Sequence, residues 1–106
     1  MQILKIKKSC QLAAQILQKV VANLQYGKTE KEVASEIRKL AKTKAHGIAF
    51  QPIVAFGKHS AIPHHRATTR KLKKGDIVKI DLGVKWDGWC SDITRTFFTT
   101  EPSDIQ

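Results

Sequence analysis

Apolar positions repeat every three or four residues through the first part of the chain, between about Ile6 and Leu24. The residues that carry this period are Leu12, Ile16, Leu17, Val20, Val21 and Leu24. This spacing places the apolar side chains on one side of an α-helix and leaves the polar residues between them for solvent. Gly27 follows the last apolar position and predicts the end of this helix.

A second helix is predicted from its starting signal as well as from its period. Thr29 is followed three residues later by Glu32, the capping-box pattern in which each side chain accepts a hydrogen bond from the other residue's backbone N–H. The apolar stripe of this helix consists of Val33, Ile37, Leu40 and Ala41. Gly47 predicts its C-terminal end.

After Gly47 the helical period gives way to strand and turn patterns. Residues 48–57 (IAFQPIVAFG) are predicted as a strand, and Pro52 favours an edge or bulge position because it cannot donate a hydrogen bond to a sheet. Residues 58–76 are predicted as a polar loop, and residues 79–98 as a hairpin. The expected fold class is therefore α+β, with two N-terminal helices packed on one face of a small, mostly antiparallel sheet.

The turn of this hairpin determines which residues face one another. Asp87-Gly88 is a strong signal for a two-residue type I′ turn, in which both central residues have positive φ. The facing pairs are then Trp86 with Trp89, Gly83 with Asp92, and Asp81 with Thr94. Asp81 and Asp92 become diagonal neighbours on one face, with Cα atoms about 7–8 Å apart. Two carboxylates at that distance can bind one ion, and Gly83 opposite Asp92 is expected to leave room for it.

The two faces of the hairpin differ in polarity. The apolar face, which is expected to pack on the helices, carries Val78, Ile80, Leu82, Val84, Trp86, Ile93 and Phe97. The opposite face carries Lys79, Asp81, Lys85, Asp92, Thr94 and Thr96. From these residues alone two interpretations stay open. The aspartates bind a divalent metal ion, of which they supply an incomplete ligand set, or they are surface carboxylates paired with Lys79 or Lys85.

Composition narrows the class of protein. The 106 residues suffice for one small domain, no apolar stretch is long enough for a membrane span, and the first residues lack a signal-peptide pattern, which favours the cytoplasm. Cys10 and Cys90 indicate neither a disulfide framework nor a zinc knuckle, and Cys10 is expected to be a buried free thiol. The net charge of +10 permits an anionic partner such as RNA, although the lysines are spread out as on a solvated surface.

The hairpin also carries residues with a family's spacing: Asp81, Gly83, Gly88, Asp92, Thr94, Arg95 and Thr96. They resemble the first metal-binding segment of the pita-bread metallopeptidases, which include methionine aminopeptidases and Xaa-Pro aminopeptidases and dipeptidases. Upstream, "FQPIVAFGKHSAIPHH" is similar to the Xaa-Pro branch, where a Ser-Ala-x-Pro-His run precedes a Leu-x-x-Gly-Asp segment. Leu72, Gly75 and Asp76 supply that segment here.

The resemblance implies a role for each matching residue. Asp81 and Asp92 would be metal ligands, with Asp92 bridging the two divalent ions (Mn, Co or Zn) of a complete site. His64 would be the catalytic histidine that contacts the substrate or its reaction intermediate. His65 and His59 would bind substrate from the rim of the cleft. The side chains that orient the ligating carboxylates would be Thr94 and Arg95.

The implied reaction is hydrolysis of N-terminal Xaa-Pro peptide bonds by a water molecule that two metal ions hold and activate. The family's other ligands, a histidine and two glutamates, lie in a second half of the fold, and no glutamate or histidine follows Glu101 here. Residues 1–106 are therefore expected to be a single αβ half-domain, a fragment or half-unit of a metallo-aminopeptidase that is inactive alone. Its substrate would be a peptide with proline at the second position.

How such a half would be completed is open. Ser103 and Gln106 repeat the capping-box pattern in "EPSDIQ" with no helix to follow, which predicts a truncation near residues 103–106. Either a missing C-terminal half or a second copy in a homodimer would supply the other wall of the cleft. The alternative from another class is a non-catalytic pita-bread-like module that binds RNA or the ribosome through its basic surface.

Overall fold

Two helices precede a small antiparallel sheet in the computed structural model, which describes residues 2–99. Helix α1 spans Gln2–Ala22 and helix α2 spans Glu30–Lys44. The strands are β1 (Ile53–Phe56), β2 (Ile77–Leu82), β3 (Lys85–Trp86), β4 (Trp89–Cys90) and β5 (Ile93–Phe98), and a 3₁₀ helix covers Gly57–Ala61. The predicted α+β class is confirmed. The truncation predicted near residues 103–106 lies outside the described residues.

The helix boundaries follow the capping signals more closely than the apolar stripe. Glu32 donates its N–H to Thr29 Oγ1 at 3.1 Å, and its carboxylate accepts the Thr29 N–H at 3.0 Å, so the capping box is present. Helix α1 begins at Gln2, four residues before the predicted start. Its first turn exposes Ile3 and Leu4, so the period of buried residues could not reveal it.

One core lies between the two helices and the sheet. Helix α2 lies against β1, and helix α1 lies against α2 and the hairpin strands β3, β4 and β5. The fully buried large apolar side chains are Ile16, Val20, Val21, Val33, Ile37, Val54, Phe56, Leu72, Val78, Ile80 and Leu82. One prediction about this core is wrong. Cys10 is exposed on α1, because it falls outside the stripe, and it is a free thiol.

The larger sheet has the order β1-β2-β5, with both pairs antiparallel. Asp81 on the central strand lies between Ile53 of β1 and Thr94 of β5. Strand β1 begins only after Pro52, so it is shorter than predicted. The preceding residues run beside the start of the hairpin instead, where the Ala49 N–H donates to the Gly83 carbonyl and the Lys85 N–H to the Gly47 carbonyl.

The predicted turn is confirmed, as are the pairs Trp86–Trp89 and Asp81–Thr94, but the pairing is interrupted at Gly83 and Asp92, which belong to no strand. Asp87 and Gly88 have φ of 50° and 85°, and Trp86 pairs with Trp89. Surrounding groups also hold the turn in place: the Asp87 N–H donates to His46 Nδ1 at 2.9 Å, and Lys5 forms an ion pair with the Asp87 carboxylate at 2.7 Å. Within residues 2–99, no helix has the length and apolar character needed to cross a membrane.

Candidate metal and substrate site

Asp81 has the least favourable environment of the carboxyl groups on the polar face of the sheet. Its carboxyl is partly buried, and Oδ1 is inaccessible and has no hydrogen-bond partner. Burial and, secondly, the neighbouring Asp92 carboxyl together raise the pKa of Asp81 to about 6, against the opposing effects of Thr94 and Lys79. No hydrogen bond of ordinary geometry joins Asp81 to Thr94 or Asp92, although both groups act on its pKa.

This pair of carboxyl groups fits a divalent cation. Two adjacent carboxylates repel each other, and a buried oxygen without a partner adds a desolvation cost that a cation would remove. A donor set of carboxylate oxygens suits hard or borderline ions such as Mn²⁺, Co²⁺ and Zn²⁺. The surface ion-pair interpretation gains no support, since none of the salt bridges within residues 2–99 involves Asp81 or Asp92.

Gly83 has a different role from the one predicted. A Cβ atom at this position would collide with the backbone carbonyl of Ser91 on the returning strand. The glycine therefore permits close contact between the two strands of the hairpin, and it does not provide space for an ion.

His64 lines a cavity between α2 and the segment that leads into β1. The cavity has a volume of about 800 Å³, and residues of α2, residues 50–53 and residues 64–67 line it. Ile53 is one of these lining residues and pairs with Asp81 across β1 and β2, so the cavity reaches the strand next to Asp81, although neither Asp81 nor Asp92 lines it. Among the described lining residues are Lys31, Arg38 and Arg66 and no carboxylate, so the cavity wall is cationic.

The other two histidines bind a buried glutamate. Glu30 is completely inaccessible to solvent, and its carboxylate lies 2.9 Å from both His59 Nδ1 and His65 Nε2. It also accepts the N–H groups of Phe56 (2.8 Å) and Thr68 (2.9 Å) and the Thr68 hydroxyl (2.7 Å). Burial alone would raise the pKa of Glu30, but these hydrogen bonds together lower it to about 2. Glu30 is therefore ionised, and both imidazoles donate to it.

Glu30 was missed in the sequence because acidic residues are common in the first turn of a helix, where they are normally exposed. Its carboxylate and the two imidazoles place three ligand-type atoms within 4.8 Å of one another. Nitrogen and oxygen ligands of one tetrahedral zinc ion, each about 2.1 Å from the metal, would be about 3.4 Å apart. The observed contacts of 2.9 Å are those of direct hydrogen bonds, and other donors already fill the remaining acceptor positions. We therefore interpret this cluster as a buried hydrogen-bond centre.

The two residues expected to orient the metal ligands, Thr94 and Arg95, lie on opposite faces of the sheet. Thr94 lies directly opposite Asp81 on the same face of the sheet. Arg95 pairs with Ile80, so it lies on the other face, and its guanidinium is 5.2 Å from the centre of the Phe97 ring. This register does not favour a contact between Arg95 and Asp81. Substrate contact by His59 and His65 also stays a prediction, since their nitrogens facing Glu30 are engaged.

Comparison with known proteins agrees with this geometry. The match to metallopeptidase family M24 extends over residues 4–106. The chain belongs to this family. The Xaa-Pro dipeptidase of Pyrococcus furiosus is 37% identical over 102 residues, which cover 95% of this chain and 29% of that protein. Two solved structures also align closely: the X-Pro aminopeptidase from Thermotoga maritima (TM-score 0.87, 37% identity) and the Xaa-Pro dipeptidase from Bacillus anthracis (TM-score 0.88, 36% identity).

In both alignments, 96% of the present chain is matched, and the match covers 29% of the length of the solved protein. The chain therefore spans less than a third of the length of these relatives, and its fold is half of a pita-bread domain. The relatives are peptidases by name, so the comparisons give no support to the RNA-binding alternative.

Proposed function

We propose that this chain supplies one wall of the active site of a metal-dependent Xaa-Pro peptidase. The observation that carries the proposal is the carboxyl of Asp81, partly buried, with one oxygen lacking a partner, beside the carboxyl of Asp92. A structural role gives no reason for the unpartnered oxygen of Asp81 on the central strand, whereas a cation shared with Asp92 stabilises both charges. Membership of family M24 agrees with this assignment.

Each residue then has a defined task. Asp81 and Asp92 would hold divalent ions (Mn, Co or Zn), which when bound lower the pKa of a coordinated water for attack on a peptide carbonyl. Thr94, opposite Asp81, would orient the ligating carboxylate. His64 would contact the substrate from the cavity wall, and a cavity of about 800 Å³ is large enough for a short peptide with proline at its second position.

The remaining ligands would come from a second half-domain or from a second copy of the chain. Support for such completion comes from the sheet, where β5 is an outer strand and pairs only with β2 within the described residues. Phe98 on this strand is 62% exposed. An open strand edge beside an exposed aromatic ring favours pairing with further structure. We accordingly expect the monomeric chain, in a cytoplasmic setting, to bind metal weakly and to hydrolyse no peptide.

Calorimetric titration of the full chain with Mn²⁺ tests the metal-binding part. Wild type should bind the ion, and Asp81→Asn and Asp92→Asn should each weaken binding at least about tenfold, since each removes a charged ligand. Asp87→Asn is the matched control because Asp87 belongs to the same hairpin but pairs with Lys5. Equal affinity in all four proteins would contradict the proposal.

Completion is tested separately by measuring molar mass against concentration with light scattering. A concentration-dependent dimer that cleaves Ala-Pro in the presence of Mn²⁺ would support the homodimer. A strict monomer would leave only a second half-domain as the source of the missing ligands.

A further inference from the structure

The Glu30 carboxylate connects both sides of the segment that carries His64. On the N-terminal side it accepts hydrogen bonds from the Phe56 N–H and from His59, and on the C-terminal side from His65 and Thr68. The buried carboxylate at the start of α2 thus joins the two ends of the chain segment between Phe56 and Thr68. His64 is the residue directly before one of these donors.

The first part of this loop, the 3₁₀ helix Gly57–Ala61, contacts β1 and β2, whereas the part around His64 is mostly exposed. Ile62 is 46% exposed, and its neighbours Pro63, His64 and Arg66 are also exposed, so apolar burial contributes little here. The chain after the loop is held differently, since the Lys31 N–H donates to the Thr68 carbonyl and the Glu30 N–H to the Arg70 carbonyl. These backbone bonds do not involve the Glu30 side chain. Removing that side chain's charge should therefore affect mainly the exposed residues around His64.

The backbone of His64 also requires support from its surroundings. Its φ is 53°, in the left-handed region that residues other than glycine adopt only at a cost. A free loop would relax to negative φ, and the imidazole would then point in another direction. Such conformations persist where neighbouring contacts determine them, and the nearest such contact is the bond from His65 to Glu30.

We propose that Glu30 is a positioning residue for His64, which it holds in the left-handed conformation at the cavity wall through its hydrogen bonds to His65 and His59. The inference rests on the proposed function in one respect only, namely that His64 is the group that meets the substrate. The positioning itself is a property of the chain without substrate or metal, and it is testable in that state.

The test is nuclear magnetic resonance of the full chain labelled with ¹⁵N and ¹³C, without metal. The one-bond Cα–Hα coupling of His64 reports the sign of φ, and the imidazole ¹⁵N shifts report which ring nitrogens carry protons. In wild type we expect a left-handed coupling at His64, with protons on His59 Nδ1 and His65 Nε2. In Glu30→Gln the left-handed coupling should be lost, and fast backbone motion should increase across residues 60–66. His46, which bonds to the turn at Asp87, is the internal reference.

Glu32→Gln is the matched control because it removes the same charge two residues away, in the exposed capping box. It should lower helix stability and leave the His64 coupling unchanged. His65→Phe keeps an aromatic ring in place and leaves the other donors to Glu30, so it serves if Glu30→Gln does not fold. It should likewise abolish the left-handed coupling of His64.

The outcomes are distinct. A left-handed His64 coupling that persists in Glu30→Gln or in His65→Phe would overturn the inference, as would its equal loss in Glu32→Gln. Absence of Mn²⁺ binding to the wild-type chain would instead count against the proposed function and would leave this result untouched.

Discussion

The charge of Glu30 should make the stability of the chain depend on pH in a way that identifies this residue. Its pKa is about 2 in the folded chain, against an ordinary value of 4.5. Because the folded pKa is the lower one, the contribution to stability is fully present above about pH 4.5 and is lost as pH falls toward 2. The difference in pKa corresponds to about 3 kcal/mol at pH 6.5, falling to about 1 kcal/mol at pH 3.

Urea unfolding of wild type and Glu30→Gln between pH 6.5 and pH 3 measures this contribution directly. At pH 6.5 the variant should be less stable by about 3 kcal/mol, since buried donors lose their charged acceptor. The difference between the two proteins should shrink steadily on acidification, because wild type then also becomes neutral at this position. Glu32→Gln should show a smaller effect in the same direction, since the exposed Glu32 carboxylate bonds only to Thr29.

Two results would refute this reasoning. One is a stability difference between wild type and Glu30→Gln that stays constant across the whole pH range. The other is a difference no larger than that of Glu32→Gln, which would mean that the buried carboxylate stabilises the fold no more than an exposed one does.

Other substitutions test the site and the fold around it. The pKa of Asp81 is raised to about 6 in the metal-free chain, so the stability of the fold decreases as pH rises from 3.8 to 6. Asp81→Asn should therefore stabilise the metal-free chain by about 1–3 kcal/mol at pH 7, as measured by urea unfolding. A variant less stable than wild type would contradict this expectation. Metal affinity of wild type should fall about tenfold per pH unit below pH 6 as protons compete at Asp81, which calorimetry at several pH values would reveal. Gly83→Ala should lower the melting temperature more than Gly88→Ala, because only at Gly83 would the new Cβ meet backbone. Thr29→Ala should cost about 1 kcal/mol through loss of the cap, and no change in unfolding free energy would argue against the capping box.

The sequence predicts the hairpin well because its determinants are local. The Asp87-Gly88 turn has a narrow conformational requirement, and once it is placed, the register follows by counting residues to Asp81 and Thr94. Helix α2 was predicted for the same reason, since Thr29 and Glu32 form the cap between themselves. Both features depend on residues close together in the chain.

The Glu30 cluster was not predictable because it depends on contacts over long sequence distances. Glu30 meets His59 and His65, which are 29 and 35 residues away, and no periodicity relates these positions. Whether an acidic residue in the first turn of a helix is buried depends on whether a loop from a distant part of the sequence packs over it. Arg95 shows a limit of prediction from a family pattern. The pattern implies a role for Arg95 near Asp81, but the alternation of side chains along the strand places it on the other face of the sheet.

The most direct test of the central claim is the position of a bound ion. A crystal of the chain grown with Zn²⁺ and measured at the zinc absorption edge would give an anomalous peak at each zinc. We predict a peak within about 2.2 Å of carboxylate oxygens from both Asp81 and Asp92, and no such peak in Asp81→Asn. Zinc that is ordered only elsewhere, for example on His59 and His65, would contradict the assignment of these aspartates as metal ligands.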